Sequence, residues 1–166
     1  AKYVQSSSPD LKYALAGRNR AKLEKVRQDL GDETIPLIVA DAVHDADAID
    51  RLAASTKVIA NYAGTPFADK ALPVVEACVK HGTCYTDITG EVNFQRASYD
   101  RYHKQALESK ALIIHACGYD SGPSDIGAML AADAMKNRHN CECNSIELVV
   151  GETEGDFSGG TLHTGL

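Results

Sequence analysis

Long apolar runs are missing from this 166-residue sequence. Its uninterrupted hydrophobic stretches extend over a few residues, whereas a membrane-spanning helix needs about 20. No basic segment followed by an apolar one marks a secretory signal. We therefore expect neither a transmembrane segment nor secretion.

Two common catalytic signatures are also missing. The sequence contains neither the G-x-S-x-G turn of α/β-hydrolases nor the H-E-x-x-H helix of zinc peptidases. The segment 139–143 (HNCEC) looks like half of a metal site, but a structural zinc ion needs four ligands and no second pair follows. No metal site is predicted.

Basic charge is scarce, with 17 Lys and Arg against 23 Asp and Glu and a net charge of −6. This acidic balance argues against nucleic-acid binding, which depends on basic surface. Residues 1–31 differ, because seven basic and three acidic side chains give them a net charge of +4 and leave −10 for the remainder. That basic end is either a solvated helix face or a site for an anion.

The remaining composition is that of an ordinary globular protein, with 44% hydrophobic and 24% charged residues, enough for one core. Five cysteines are an odd number, and Cys78, Cys84 and Cys117 lie in apolar surroundings typical of buried thiols. A reduced, cytoplasmic compartment is therefore expected.

Short apolar runs alternate with amphipathic segments, the pattern of a parallel sheet with helices on its faces. The predicted strands are 12–16, 35–40, 57–61, 84–88 and 111–117, with 146–150 as a sixth. The predicted helices are 19–30, 45–54, 73–82, 93–109 and one that begins near Pro123. The predicted fold class is therefore α/β, a Rossmann-like doubly wound parallel sheet.

Capping residues and apolar spacing support the helices. Asn19 is suited to begin the first one and Gly31 to end it. The last helix, capped by Ser124, is expected to bury its apolar stripe, Ile126, Met129 and Leu130. The pattern changes after residue 143, so we predict a dinucleotide-binding domain over 1–143 and the beginning of a second α+β domain over 144–166.

In a doubly wound sheet the ligand binds beyond the carboxyl ends of the strands, and Gly17, Arg18 and Asn19 follow the first predicted strand. An acidic residue here binds the free ribose hydroxyl of NAD, whereas an arginine accommodates the 2′-phosphate of NADP. A guanidinium suits phosphate because its donors form a planar fork. Arg18 therefore favours NADP over NAD, and the alternative is a basic helix start.

Small and polar residues also follow the next two strands. Asp41 is placed to accept from the adenine amino group beside a small Ala42, or else to cap the strand end. Asn61, Gly64 and Thr65 form either a turn that approaches a ligand closely or an ordinary turn.

The last two strands end in polar loops. Asp87 and Gly90 are predicted cofactor contacts. Asp120 is the candidate catalytic residue, in a loop before a helix whose free backbone donors can hold an anion or the nicotinamide amide. No acid–base pair is evident, but a hydride donor needs mainly orientation from its protein.

A G-x-G-x-x-G loop is absent, although in this fold such a loop follows the central first strand. Residues 1–9 have the pattern of the end of the helix after that loop. We expect the natural chain to begin about 25–35 residues earlier, the size of one strand, loop and helix unit. The resulting gap in the sheet would favour a homo-oligomer.

Four motifs in a fixed order resemble the saccharopine dehydrogenase-like oxidoreductases. They are 14–23 (ALAGRNRAKL), 74–78 (VVEAC), 85–91 (YTDITGE) and 117–125 (CGYDSGPSD), followed by 159–161 (GGT). The resemblance covers nearly the whole chain. One departure is Thr65, which separates Gly64 from Pro66 where the family commonly has Gly-Pro and an aromatic residue.

The resemblance implies an NADP-dependent oxidoreductase with a Rossmann domain and an inserted α+β domain. Its substrate would be a small or lipid-related molecule, and its location cytoplasmic with peripheral association with lipid droplets or membranes.

Two alternatives differ in kind. A short-chain dehydrogenase needs Tyr-x-x-x-Lys, but His103 and Ala106 stand four residues beyond Tyr99 and Tyr102. A non-catalytic nucleotide-binding or scaffold protein that retains the fold stays open.

Overall fold

The computed structural model describes residues 1–63, 66–152 and 154. Parallel strands alternate with helices, which confirms the predicted α/β class. The strands are β1 (Leu15–Gly17), β2 (Leu37–Val39), β3 (Val58–Asn61), β4 (Cys84–Asp87) and β5 (Ile113–Ile114). The helices are α1 (Lys2–Ser7), α2 (Arg20–Leu30), α3 (Ala46–Ala54), α4 (Phe67–Lys70), α5 (Leu72–His81), α6 (Val92–Ser109) and α7 (Gly122–His139).

The strands form two separate parallel sheets. One pairs β1 with β2, and the other has the order β3-β4-β5. A doubly wound sheet has the order 3-2-1-4-5-6, so the observed strands fit its two outer groups. Within the described part of the chain no strand joins β1 to β3, and the sheet has the expected gap there.

The predicted ends of α2 are confirmed. The Asn19 side chain accepts a hydrogen bond from the Lys22 amide at 3.0 Å and begins α2, and Gly31 ends it with a φ of 69°. Asp45 likewise accepts from the Ala48 amide at 2.9 Å and begins α3. Both ends thus satisfy backbone groups that a helix terminus leaves free.

The hydrophobic core lies where α3, α5 and α6 pack on one face of the three-stranded sheet. Burial of one large apolar side chain stabilises the fold by roughly 1.5–3 kcal/mol. The opposite face of this sheet is open, with Val58 and Ile114 exposed. The core side chains include Ile49, Ala53, Val74, Val75, Cys78, Val79, Tyr85 and Phe94.

The predicted packing and capping of α7 are wrong. Ile126, Met129 and Leu130 are 55%, 55% and 59% exposed, and Ser121 rather than Ser124 is the N-cap residue. Helical spacing marks an apolar stripe on a helix but does not show what will cover it.

The predicted strand 146–150 is also wrong, since these residues have irregular structure and their apolar side chains are exposed. A strand needs a neighbour for its backbone hydrogen bonds, and the described residues supply none here. Of the three cysteines expected inside, Cys78 is buried, Cys84 is half-buried and Cys117 is exposed. Among the helices described, none is long and apolar enough to cross a bilayer.

Candidate functional site

The first two strands bring two predicted contact regions together. Gly17 and Val39 are in register, and the Ala40 amide donates to the Gly17 carbonyl at 3.1 Å. Arg18 and Asp41 therefore leave the same edge of the sheet from neighbouring strands. Ala42 follows Asp41 and is half-buried against the core.

Arg18 is exposed and forms no ion pair with any residue that the structure describes. Its positive charge nevertheless contributes to holding the pKa of Asp41 below its ordinary value. The main cause of that lowered pKa is the hydrogen bond from the Val43 amide to the Asp41 carboxylate, at 2.9 Å. Asp41 thus caps the strand end, its contact with adenine stays a prediction, and Arg18 is available to a ligand.

The residues next to Arg18 either lack a side chain or have partners of their own. A Cβ atom on Gly17 would meet only the Leu23 side chain, at 3.5 Å, so internal packing does not explain the glycine. Asn19 uses its side-chain oxygen as the helix cap, and Arg20 is paired with Glu24 at 2.9 Å. Arg18 and Lys22 are therefore exposed cations of this segment without an ion pair among the described residues, and Arg18 is the one directly at the strand end.

Asn61, at the end of β3, is tied into the protein. Its amide nitrogen donates to the Tyr85 hydroxyl at 3.0 Å, and its oxygen accepts from the Ala63 amide at 3.0 Å. These two hydrogen bonds fix the Asn61 side chain at the start of the turn that follows β3. Gly64 and Thr65 lie outside the described residues, so their predicted contacts stay predictions.

The loop after β4 is fastened to the loop after β3 by a residue that sequence reasoning missed. Glu91 accepts from the Phe67 amide at 2.7 Å and from the Ala68 amide at 3.0 Å, and so caps α4. Gly90, next to it, is exposed. An acidic residue beside an exposed glycine gave no local signal, because the amides that it caps lie more than 20 positions earlier.

Asp87, at the end of β4, organises the ends of two strands. Its side chain is fully buried and accepts from the Ala116 amide at 2.9 Å and the Thr89 amide at 3.1 Å, with His115 Nδ1 at 2.7 Å. Burial opposes ionisation, but these hydrogen bonds outweigh it, and the pKa of Asp87 lies below its ordinary value. Direct cofactor contact by Asp87 stays a prediction; the observed role is to fix the loops.

The backbone after β5 takes an unusual path. Ala116 has a φ of 59°, a left-handed conformation that costs a residue with a Cβ atom about 1–2 kcal/mol. Asp87 holds this bend through the Ala116 amide and through its own carbonyl, which accepts from the Cys117 amide at 2.8 Å. His115 was also missed, although a histidine directly after an apolar strand is a recognisable signal.

Asp120 lies in the exposed loop before α7. Its carbonyl accepts from the Ser124 hydroxyl at 2.9 Å, and no described side chain forms an ion pair with its carboxylate. A catalytic role for Asp120 stays a prediction. No group of three metal-ligating side chains occurs in the described part of the chain.

The site thus has two parts. Arg18 and Asp41 stand at the ends of β1 and β2, and Asn61, Asp87 and His115 stand at the ends of β3, β4 and β5. Chemically, the first part offers a free cation for an anion, and the second offers rigid loops with exposed backbone.

The chain is similar to known proteins in sequence and in fold. It is 39% identical over 164 residues to a protein of Mycobacterium tuberculosis named as a trans-acting enoyl reductase. The aligned region is 98% of this chain and 39% of that relative. Trans-acting enoyl reductases of Mycobacterium bovis and Mycobacterium ulcerans are 44% and 43% identical over 76% and 75% of the chain, and 30% of each relative is matched. This chain therefore spans about two fifths or less of the relatives' length.

The apo structure of histidine-tagged saccharopine dehydrogenase (L-Glu forming) from Saccharomyces cerevisiae superposes with a TM-score of 0.64 at 17% identity. The superposed region is 81% of this chain and 28% of the saccharopine dehydrogenase chain. No protein-family model matches. The predicted resemblance in fold is confirmed.

Proposed function

We propose that this chain, a relative of the trans-acting enoyl reductases with the fold of saccharopine dehydrogenase, is the dinucleotide-binding part of an NADP-dependent oxidoreductase. The name of these relatives, trans-acting enoyl reductase, supports a reductase activity. The reaction proposed is hydride transfer between the nicotinamide and an enoyl compound, either a small molecule or a lipid-related one.

The free Arg18 guanidinium carries the NADP part of this proposal. It leaves the end of β1 with no ionic partner among the described residues, beside a glycine that adds no side chain. A planar cation at this strand end fits the 2′-phosphate, whereas the ribose of NAD calls for an acidic residue.

The other predicted contacts follow the strand ends. Asp41 and Ala42 would face the adenine, and Asn19 stands at the start of α2 beside Arg18. The turns that contain Asn61, Gly64, Thr65, Asp87 and Gly90 would orient the rest of the cofactor. When bound, the nicotinamide supplies the hydride, and Asp120 is the proposed residue for the proton.

The wider predictions belong to the same proposal. They are a domain boundary at 143/144, a cytoplasmic location with peripheral association with lipid droplets or membranes, and a homo-oligomer. Within the described residues, no strand pairs with the second edge of β1 or of β3, and this supports association because exposed strand edges pair readily.

Binding measurements test the cofactor assignment on the 166-residue chain itself. Calorimetry should give tighter binding of adenosine 2′,5′-bisphosphate than of AMP, and fluorescence tighter binding of NADPH than of NADH. Arg18→Ala should remove a charge-assisted contact and weaken the bisphosphate by about 10- to 100-fold. Arg96→Ala removes the same charge from α6 and should leave binding unchanged. Equal affinity of the unmodified chain for both members of each pair would reject NADP.

Turnover is tested separately in the full-length protein. NADPH oxidation with enoyl substrates should fall in Asp120→Asn while NADPH affinity is kept. Background oxidation across enoyl, imine and keto compounds, together with intact NADPH binding, would instead support a non-catalytic nucleotide-binding protein.

A further inference from the structure

Three polar side chains form a hydrogen-bonded series at the edge of the three-stranded sheet. Asp87 Oδ2 lies 2.7 Å from His115 Nδ1, and His115 Nε2 lies 2.9 Å from Ser98 Oγ. The residues come from β4, from the segment after β5 and from α6, so no sequence motif contains them. Carboxylate, imidazole and hydroxyl in this order have the geometry of a catalytic triad.

The partners of His115 assign its protons. Hydrogen bonds keep Asp87 ionised despite its burial, and a carboxylate can only accept, so Nδ1 of His115 carries a proton. In the neutral ring Nε2 then has a lone pair and accepts from the Ser98 hydroxyl. His115 is thus oriented as a base toward Ser98, and its ring packs edge-on against Phe94 and Tyr85.

Ser98 has an unusual partner for a serine inside a helix. Such a hydroxyl commonly bonds to the carbonyl one turn earlier, but that of Ser98 points to His115. Asp87, His115 and Ser98 are well buried, with exposures of 0% and 14% for the first two side chains and 3% for Ser98 as a whole. A low-dielectric surrounding strengthens the electrostatic coupling between them.

A cleft opens onto this series. It has a volume of about 270 Å³, lies between α6 and β5, and has both Ser98 and His115 in its wall. Most of the remaining wall is apolar and comes from Tyr102, Ala106, Leu107 and Ile113. A cleft of this size and character suits a short aliphatic chain with one polar group.

We propose that Ser98 is a nucleophile activated by His115 and Asp87, and that the cleft accepts short aliphatic acyl esters. Ser98 Oγ bonds to the acyl carbon while its proton passes to His115 Nε2, and Asp87 stabilises the imidazolium. The bond between the acyl carbon and the leaving alcohol breaks as the alcohol takes that proton. Water then attacks the acyl-serine by the same route, which releases the acid and restores Ser98. This acyl transfer needs no hydride and no nicotinamide, although Asp87 belongs to a turn that is also proposed to orient the cofactor.

Acylation of the 166-residue chain by p-nitrophenyl butyrate tests the proposal. Nitrophenolate release and peptide mass mapping should show a butyryl group on Ser98, and Ser98→Ala should abolish that adduct. Ser109→Ala is the matched control, because Ser109 lies on the same helix and its hydroxyl bonds only to the Ala106 carbonyl. Ser109→Ala should therefore react like the unmodified chain.

The base is tested by His115→Gln, which should slow acylation about 10²- to 10⁴-fold. Because this variant also loses ring packing, the pH dependence of the unmodified chain gives a second measurement. Acylation should fall in acid, because a general base that already carries a proton cannot take the one on Ser98. The titratable groups facing His115 are Asp87 and Tyr85 on β4 and Tyr99, Tyr102 and His103 on α6.

His103→Gln should keep that pH profile, which excludes His103 as its source. Absence of nitrophenolate release by the unmodified chain would overturn the proposal, as would release that continues at the same rate in Ser98→Ala. A profile that His103→Gln shifts would also remove His115 from the role of base.

Discussion

The two sheets of this molecule are packed very differently. The three-stranded sheet and its helices α3, α5 and α6 contain most of the hydrophobic core, including Val75 and Phe94, which are fully buried. The two-stranded sheet packs against α2, and neither α2 nor α7 contains a buried residue. Stability is therefore carried mainly by the three-stranded region, whereas Arg18, the proposed cofactor contact, belongs to the weakly packed one.

This division follows from how the residues are used. On the three-stranded side, apolar side chains from several helices meet, and polar side chains such as Asp87 join separate strands. On the two-stranded side most polar contacts are local, such as the Asn19 cap and the Arg20–Glu24 pair. Local contacts hold a segment in shape but add little to cooperative stability.

The largest expected difference between the regions concerns apolar side chains. Phe94→Ala should lower the free energy of unfolding by about 3–5 kcal/mol, because it leaves a cavity beside Phe67 and His115. Ile126→Ala on α7 should change it by less than about 1 kcal/mol, since that side chain is exposed. Urea denaturation measures both, and equal losses would contradict the division.

The second-largest expected decrease in the free energy of unfolding follows from removing the Asp87 carboxylate. Asp87→Asn should cost about 2–3 kcal/mol near neutral pH, since it weakens hydrogen bonds to His115, Ala116 and Thr89. The folded-state pKa is lowered, so this stabilisation is present above the ordinary value of 3.8 and disappears as pH falls through the folded pKa.

The difference in stability between Asp87→Asn and the unmodified chain should therefore shrink below pH 3.8. Asp50→Asn is the control, because Asp50 is a partly exposed partner of Lys80 and His81. Denaturation followed at several pH values should show a smaller effect for it. A pH-independent difference for Asp87→Asn would show that its charge does not stabilise the fold.

Two glycines with the same backbone angle give a smaller contrast. Gly82 and Gly31 both have a φ of 69°. A Cβ atom on Gly82 would lie 2.8 Å from the Ser109 carbonyl oxygen, whereas a Cβ atom on Gly31 would have no described atom within 4 Å. Gly31→Ala should cost about 1 kcal/mol from the backbone alone. Gly82→Ala should cost more, about 2 kcal/mol, in thermal or urea unfolding. An equal cost would mean that α6 moves freely away from α5.

The helix caps should give the smallest effect. Asp45→Ala removes the cap of α3, which packs in the core, and should lower global stability by about 1 kcal/mol. Asn19→Ala removes the equivalent cap of α2, and its effect should be mainly local fraying. Hydrogen exchange of the first-turn amides distinguishes the two, and faster exchange throughout the chain in Asn19→Ala would contradict this expectation.

Local signals predicted the parts of the fold that depend on neighbouring residues. Asn19 begins α2 and Gly31 ends it as expected, because a cap is a contact within one turn. The strand 146–150 and the burial of Ile126 failed, because a sheet partner or a covering layer cannot be inferred from periodicity. Apolar pattern indicates which face can be buried, and tertiary structure decides whether it is.

The candidate site shows the same limit. The placement of Arg18 beside Asp41 followed from parallel strands that end at one edge. The capping of α4 by Glu91 and the contact of His115 with Ser98 join residues 17 or more positions apart. No spacing rule reports such contacts, so the structure was needed to find them.

The bend at Ala116 has a consequence for the loop that carries Asp120. A left-handed alanine does not persist by its own preference, so the direction of this loop is imposed by a charge on a different strand. A peptide with the sequence 113–125 would relax to an ordinary extended form. The shape of the loop thus depends on β4. Moving this segment into another scaffold would therefore require moving the buried Asp87 with it.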